Sequence, residues 1–69
     1  MDLKAYRKKT RHSRASYAEH IGVHEQTLYG WETGNHPVTL HKAIQIEDDS
    51  LRLVTVRELA AMYREKKHG

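Results

Sequence analysis

Between Gly22 and Gly34 the chain places Glu25, Gln26, Thr27 and Tyr29 within five residues, followed at once by Gly30. A glutamine amide bonds bidentately to adenine N6 and N7, a glutamate carboxylate accepts from cytosine N4, and Thr or Tyr can meet a thymine methyl or a phosphate. The chemistry on offer is recognition of base edges, with no bond broken. Each residue also has a plainer reading. Gln26 is then a polar residue on a solvated helix, Glu25 a charge that repels phosphates and so rejects wrong sequences, and Tyr29 a ring packed on the preceding helix. Gly30, in mid-helix, costs about 1 kcal/mol relative to alanine, and close approach to a groove accounts for it.

The remaining residues offer little to catalysis or metal binding. There is no cysteine, hence no disulfide framework and no thiolate site. Of the six histidines, His20 and His24 straddle Gly22, and His36 and His41 straddle Pro37 and a helix start. Neither pair shares one helical face, so no metal is expected. Paired carboxylates at metal-binding spacing and a nucleophile–base set are both missing from the pattern, which argues against a nucleic-acid hydrolase. At 69 residues and 38% hydrophobic content, the core is too small to wall off a deep small-molecule pocket as well. The expectation is a non-enzymatic single domain over residues 1–69, with no cofactor.

No apolar run approaches the roughly 18 residues of a membrane span, and MDLKAYRKKT has no apolar stretch for a signal peptide. A soluble, cytoplasmic chain with no membrane partner is expected. The net charge of +3 is unevenly spread. Residues 1–14 carry Lys4, Arg7, Lys8, Lys9, Arg11 and Arg14 against Asp2 alone, whereas residues 15–37 contain no Lys or Arg. Phosphate contacts must therefore come mainly from the ends of the chain.

Five helices would position these residues. Asp2 caps a first helix with Leu3, Tyr6 and Thr10 on one stripe; Ser13 caps a second, which buries Tyr17, Ala18 and Ile21 and stops at Gly22. A third runs from His24 to Gly34, with Leu28 and Trp31 inward and Glu25, Gln26, Tyr29, Gly30 and Thr33 outward. Thr39 caps a fourth helix with Leu40, Ala43, Ile44 and Glu47 in period, ended by Asp48, Asp49 and Ser50. Leu51 to Val54 fits either a short extended segment or a loop. The capping box Thr55-Val56-Arg57-Glu58 opens a last helix at about 55–66, lined by Val56, Leu59, Ala60 and Tyr63.

Two short helices joined at a glycine form a helix-turn-helix over residues 14–34, in which A-x-x-x-G-V-x-x-x-x-L-x-x-W-E-x-G fixes seven positions from Ala18 to Gly34. With DLKAYRKKT before it and HKAIQIEDD and VTVREL after it, the chain resembles the phage Cro-type and repressor-type helix-turn-helix proteins. Within them it looks most like the YdaS-like group of prophage Cro or antitoxin-type regulators. The resemblance implies an all-α, five-helix, lambda-repressor-like domain that binds double-stranded operator DNA through the second motif helix, commonly as a dimer, in a bacterial or phage-infected cell at the nucleoid. It also leaves open an antitoxin-type protein whose last helix holds a toxin while the motif regulates its own operon. Three places depart from the group's pattern: His24 replaces a Ser or Thr cap, Ser50-Leu51-Arg52 replaces a glycine-rich turn, and AAMYREKKHG replaces Arg-Pro-Asp.

Roles follow. Glu25, Gln26, Thr27, Tyr29 and Gly30 are the candidate base contacts, with Gln26 foremost as a residue near the start of the recognition helix. Arg14, Asn35 and His36 are the first candidates for phosphates, followed by Arg7, Lys8 and Arg11; protonated His24 or His36 would supply cations in the stretch that lacks Lys and Arg. Trp31 belongs to the core, and Glu32 anchors the turn. One module buries only about 600–1,000 Å² on DNA, so specificity calls for two half-sites and a homodimer. That interface is read at Val54, Leu59, Met62 and Tyr63, whose plainer reading is closure of the monomer core.

Overall fold

Polar side chains cap four of the five helices in the computed structural model, which describes the backbone of residues 1–68 and the side chains of residues 1–64. Asp2 Oδ1 accepts from Ala5 N at 2.8 Å and opens α1 (Leu3–Lys9). Ser13 Oγ accepts from Ser16 N at 3.0 Å and opens α2 (Arg14–Ile21). Helix α3 (Glu25–Thr33) starts at His24, whose side chain makes no capping bond. Thr39 Oγ1 accepts from Lys42 N at 3.4 Å ahead of α4 (Leu40–Asp49). The capping box closes in both directions before α5 (Val56–His68): Glu58 N donates to Thr55 Oγ1 and Thr55 N to Glu58 Oε1, each at 3.1 Å.

Gly22 and Gly34 end α2 and α3 in the left-handed region, at φ 79° and 77°. Only glycine takes that conformation without a Cβ clash, so these two residues fix where the motif turns. The α2 end is also tied from outside. Lys42 Nζ donates to the Ile21 carbonyl at 2.7 Å, and Gln45 Nε2 to the same oxygen at 3.4 Å. A cation on the last carbonyls of a helix satisfies both their lone pairs and the helix dipole.

Leu3, Tyr17, Ala18, Ile21, Leu28, Trp31, Ala43, Ile46, Val54 and Leu59 form one buried cluster, with Tyr6, Val23, Val38, Val56 and Met62 packed on it. Helix α2 lies against α3 and α4, and α5 against both α3 and α4. Two expected stripes are displaced. On α1 the buried pair is Leu3 and Arg7, with Tyr6 half-buried and Thr10 exposed; on α4 it is Ala43 and Ile46, while Leu40 and Ile44 face outward. The helical period was legible, but a seven- or ten-residue helix has two apolar rows close enough in phase to exchange.

Residues 51–54 form a turn. Buried Ser50 organises it: its hydroxyl accepts from Val54 N at 3.0 Å, and Arg52 N donates to the Glu47 carbonyl at 2.8 Å. The turn forces Leu51 and Arg52 into the left-handed region, at φ 54° and 67°. A non-glycine residue there costs about 1–2 kcal/mol, and Leu51, at 86% exposure, recovers nothing by packing. Leu51→Gly is expected to stabilise the fold by about 0.5–1 kcal/mol after glycine's larger entropy loss is subtracted. A urea midpoint that stays put or falls in that variant would contradict this account.

Candidate nucleic-acid interface

Helix α3 is two-sided. Leu28 and Trp31 are buried, whereas Glu25, Gln26, Thr27 and Tyr29 all stand exposed. Those four occupy its first five positions, where a helix laid in a groove makes its closest approach. Thr33 is half-buried, its hydroxyl turned back to the Tyr29 carbonyl at 2.9 Å. His24 is exposed just ahead of them, and Asn35 and His36 are exposed just after Gly34. Both loop residues are anchored through their backbone, since Asn35 N and His36 N donate to the Gly30 carbonyl at 2.9 and 3.2 Å.

Gly30 does not belong to the exposed row. It is buried, and a Cβ built on it would fall on the His36 ring. The missing side chain makes room for the loop that follows the helix, which replaces close approach to DNA as the reason for glycine. The ring that needs the space lies six residues on, past a reversal of the chain.

Beneath the exposed row lies an ion cluster. Arg7 Nε and Nη2 reach Glu32 Oε2 and Oε1 at 2.6 and 3.2 Å, a bidentate pair with both side chains almost fully buried, and Arg7 Nη1 donates to the His12 carbonyl at 3.1 Å. Arg7 therefore leaves the set of phosphate candidates, because its guanidinium is enclosed and spent on Glu32. Glu32, read as an anchor for the turn, instead ties α1 to α3. A lone arginine in a basic run looks solvated, and only the fold brings it to a carboxylate 25 residues away.

Arg14 stands at the edge of this cluster. Its Nε lies 3.6 Å from Glu32 Oε1, and its guanidinium carbon sits 4.6 Å from the centroid of the Tyr29 ring. Lys8 and Arg11 are exposed on the same N-terminal side, Arg11 in a left-handed turn at φ 62°. Lys42, which holds the end of α2, was missed in the sequence because nothing local marks its partner.

The four residues read as a dimer interface differ in burial. Val54 and Leu59 are buried inside the protomer and cannot meet a second copy, which corrects that part of the expectation; Met62 and Tyr63 keep partial exposure. The histidines also regroup. His20 Nε2 pairs with Asp49 Oδ1 at 2.9 Å, and its ring stacks on that of His12 with centroids 5.7 Å apart. Both rings border Tyr17, whose phenol is held neutral by burial and by the nearby Asp49 carboxylate, each of which pushes its ionisation upward.

Among the described residues no helix is long and apolar enough to cross a membrane. A family model described as helix-turn-helix matches residues 3–48, about two thirds of the chain, and so takes in α1 to α3 and all of α4 but Asp49. Comparison with curated proteins and with solved structures gives no match. The two-sided α3 set by Gly22 and Gly34 and the extent of that match lead to one assignment: the chain belongs to the helix-turn-helix family of DNA-binding transcriptional regulators.

Proposed function

We propose that this regulator is a Cro-like repressor of the YdaS-like prophage type, which occupies a pseudo-palindromic operator as a homodimer and thereby blocks polymerase. The observation that carries the reading is the exposed row Glu25, Gln26 and Thr27 on α3 beside Arg14. Glu25, Gln26 and Thr27 read base edges in the major groove. Arg14, Lys8, Arg11, His24, Asn35 and His36 meet the flanking phosphates and set the register of the helix without reading sequence.

A single row of three readers specifies only a few base pairs, which is the argument for two copies. Met62 and Tyr63 are the members of the expected interface still accessible for that contact. Selection of bound sites from random duplex DNA tests the whole reading. The expected product is an inverted repeat with half-sites about 10–10.5 base pairs apart, centre to centre, or a multiple of that spacing. Enrichment of a single unrepeated site would remove the dimer from the reading, and no enrichment would remove sequence-specific binding.

Arg14→Ala isolates the phosphate contribution. It is expected to weaken binding to selected and unrelated duplexes by the same factor and to reduce the magnitude of the salt slope by about 1. A loss confined to the selected sequence in a salt titration would instead make Arg14 a base reader.

A further inference from the structure

The ion cluster under the recognition helix contains two guanidinium groups and one carboxylate. Both oxygens of Glu32 accept from Arg7, at 2.6 and 3.2 Å. Arg14 Nε, at 3.6 Å from the nearer oxygen, is beyond hydrogen-bond reach, and it is buried with no other partner. One positive charge is left over, and it resides on the arginine that still reaches solvent, since the Arg14 side chain is 32% exposed against 8% for Arg7. Arg14 also opens α2, where the helix dipole disfavours a cation. Glu32 attracts it across 3.6 Å but makes no hydrogen bond that would orient it, and the helix terminus opposes it.

The contact that orients it is with Tyr29. The guanidinium carbon lies 4.6 Å from the ring centroid, well within the roughly 6 Å over which an aromatic face attracts a cation. Stacking uses the flat face of a guanidinium and leaves its N–H donors free in the plane. A guanidinium over the ring, whose Nη groups make no hydrogen bond among the described residues and whose nearby carboxylate is already bonded bidentately to Arg7, is set for an anion with several acceptor oxygens.

We infer that Tyr29 is a positioning residue, whose ring holds the Arg14 guanidinium in place for a backbone phosphate, and that it does not read a base. The inference rests on the DNA-binding reading above and adds to it that a residue of the recognition helix serves affinity alone. It follows that the phenol hydroxyl is dispensable and the ring is not.

The test uses the full chain, a duplex carrying the selected site and an unrelated duplex of equal length. Tyr29→Leu is expected to lower affinity for both by the same factor, about two- to fivefold, and to flatten the salt slope as Arg14→Ala does. Tyr29→Phe is expected to match the parent chain on both duplexes. In an Arg14→Ala background, Tyr29→Leu is expected to add no further loss. A changed preference at one base pair in Tyr29→Leu, a loss in Tyr29→Phe, or additive losses in the double variant would each overturn the inference. The stack is read separately in the free protein by NMR, where the Arg14 side-chain protons should be shifted upfield by the Tyr29 ring in the parent chain and in Tyr29→Phe, and should return in Tyr29→Leu. Absence of that shift sinks the inference whatever the DNA result. A parent chain that shows the shift and binds neither duplex overturns the DNA reading, and with it the phosphate role, while the stack itself stands.

Discussion

Glu32→Leu is expected to destabilise the fold by about 3–5 kcal/mol, because it removes the only carboxylate of a buried pair and leaves the Arg7 guanidinium enclosed without a counter-charge. The magnitude comes from the geometry. Arg7 is 6% exposed and makes its contacts in an arrangement in which water cannot easily replace the lost acceptor. A domain of this length has little stability in reserve, since folded proteins lie only about 5–15 kcal/mol below their unfolded state and small ones sit low in that range. A variant that loses this much should be largely unfolded in mild urea. Pairing the change with Arg7→Met should recover most of the loss, since replacing both members of a buried pair by apolar groups is often close to neutral. Equilibrium urea unfolding of the two single variants and the double variant measures this. Single losses below about 1 kcal/mol, the range of surface ion pairs, would show that the pair is screened by solvent.

The same pair shows where sequence reasoning loses its grip. Asp2, Ser13, Thr39 and the Thr55–Glu58 box were legible because each cap acts on a backbone group three residues away. Gly22 and Gly34 were legible for the same reason, as a left-handed stop is a local event. Arg7, Gly30 and Val54 were not, and in each case the deciding neighbour is supplied by the fold. Arg7 finds a carboxylate on another helix, Gly30 makes room for a ring from the following loop, and Val54 fills a core that α5 closes. Apolar residues near the end of a short chain serve equally well as core or as interface in a sequence. Val54 and Leu59 go to the core because a domain this small needs them there. On the recognition side, Glu25, Gln26, Thr27 and Tyr29 were legible as an exposed row from the helical period alone, whereas the stacking of Tyr29 on Arg14 depends on how α2 crosses α3.

Gln26→Ala should behave quite differently from either arginine variant. Gln26 is the second residue of α3 and fully on its exposed face, so its removal leaves the core and the ion cluster untouched, and the urea midpoint should not move. Binding to the selected operator should fall by about 1–3 kcal/mol, roughly 5- to 150-fold, the value of one bidentate amide–adenine contact. Binding to an unrelated duplex should be unchanged, and so should the salt slope, because an amide releases no counterion. The loss should also be local in sequence. When every base pair of a half-site is varied in turn, the variant should have lost discrimination at one or two adjacent positions and kept it at the others. In a two-fold complex the same positions should relax in both half-sites, so a symmetric pattern reports the dimer as well as the contact. Uniform weakening on every duplex would place Gln26 against the backbone, and an unchanged affinity would leave Glu25 and Thr27 as the only readers on this helix.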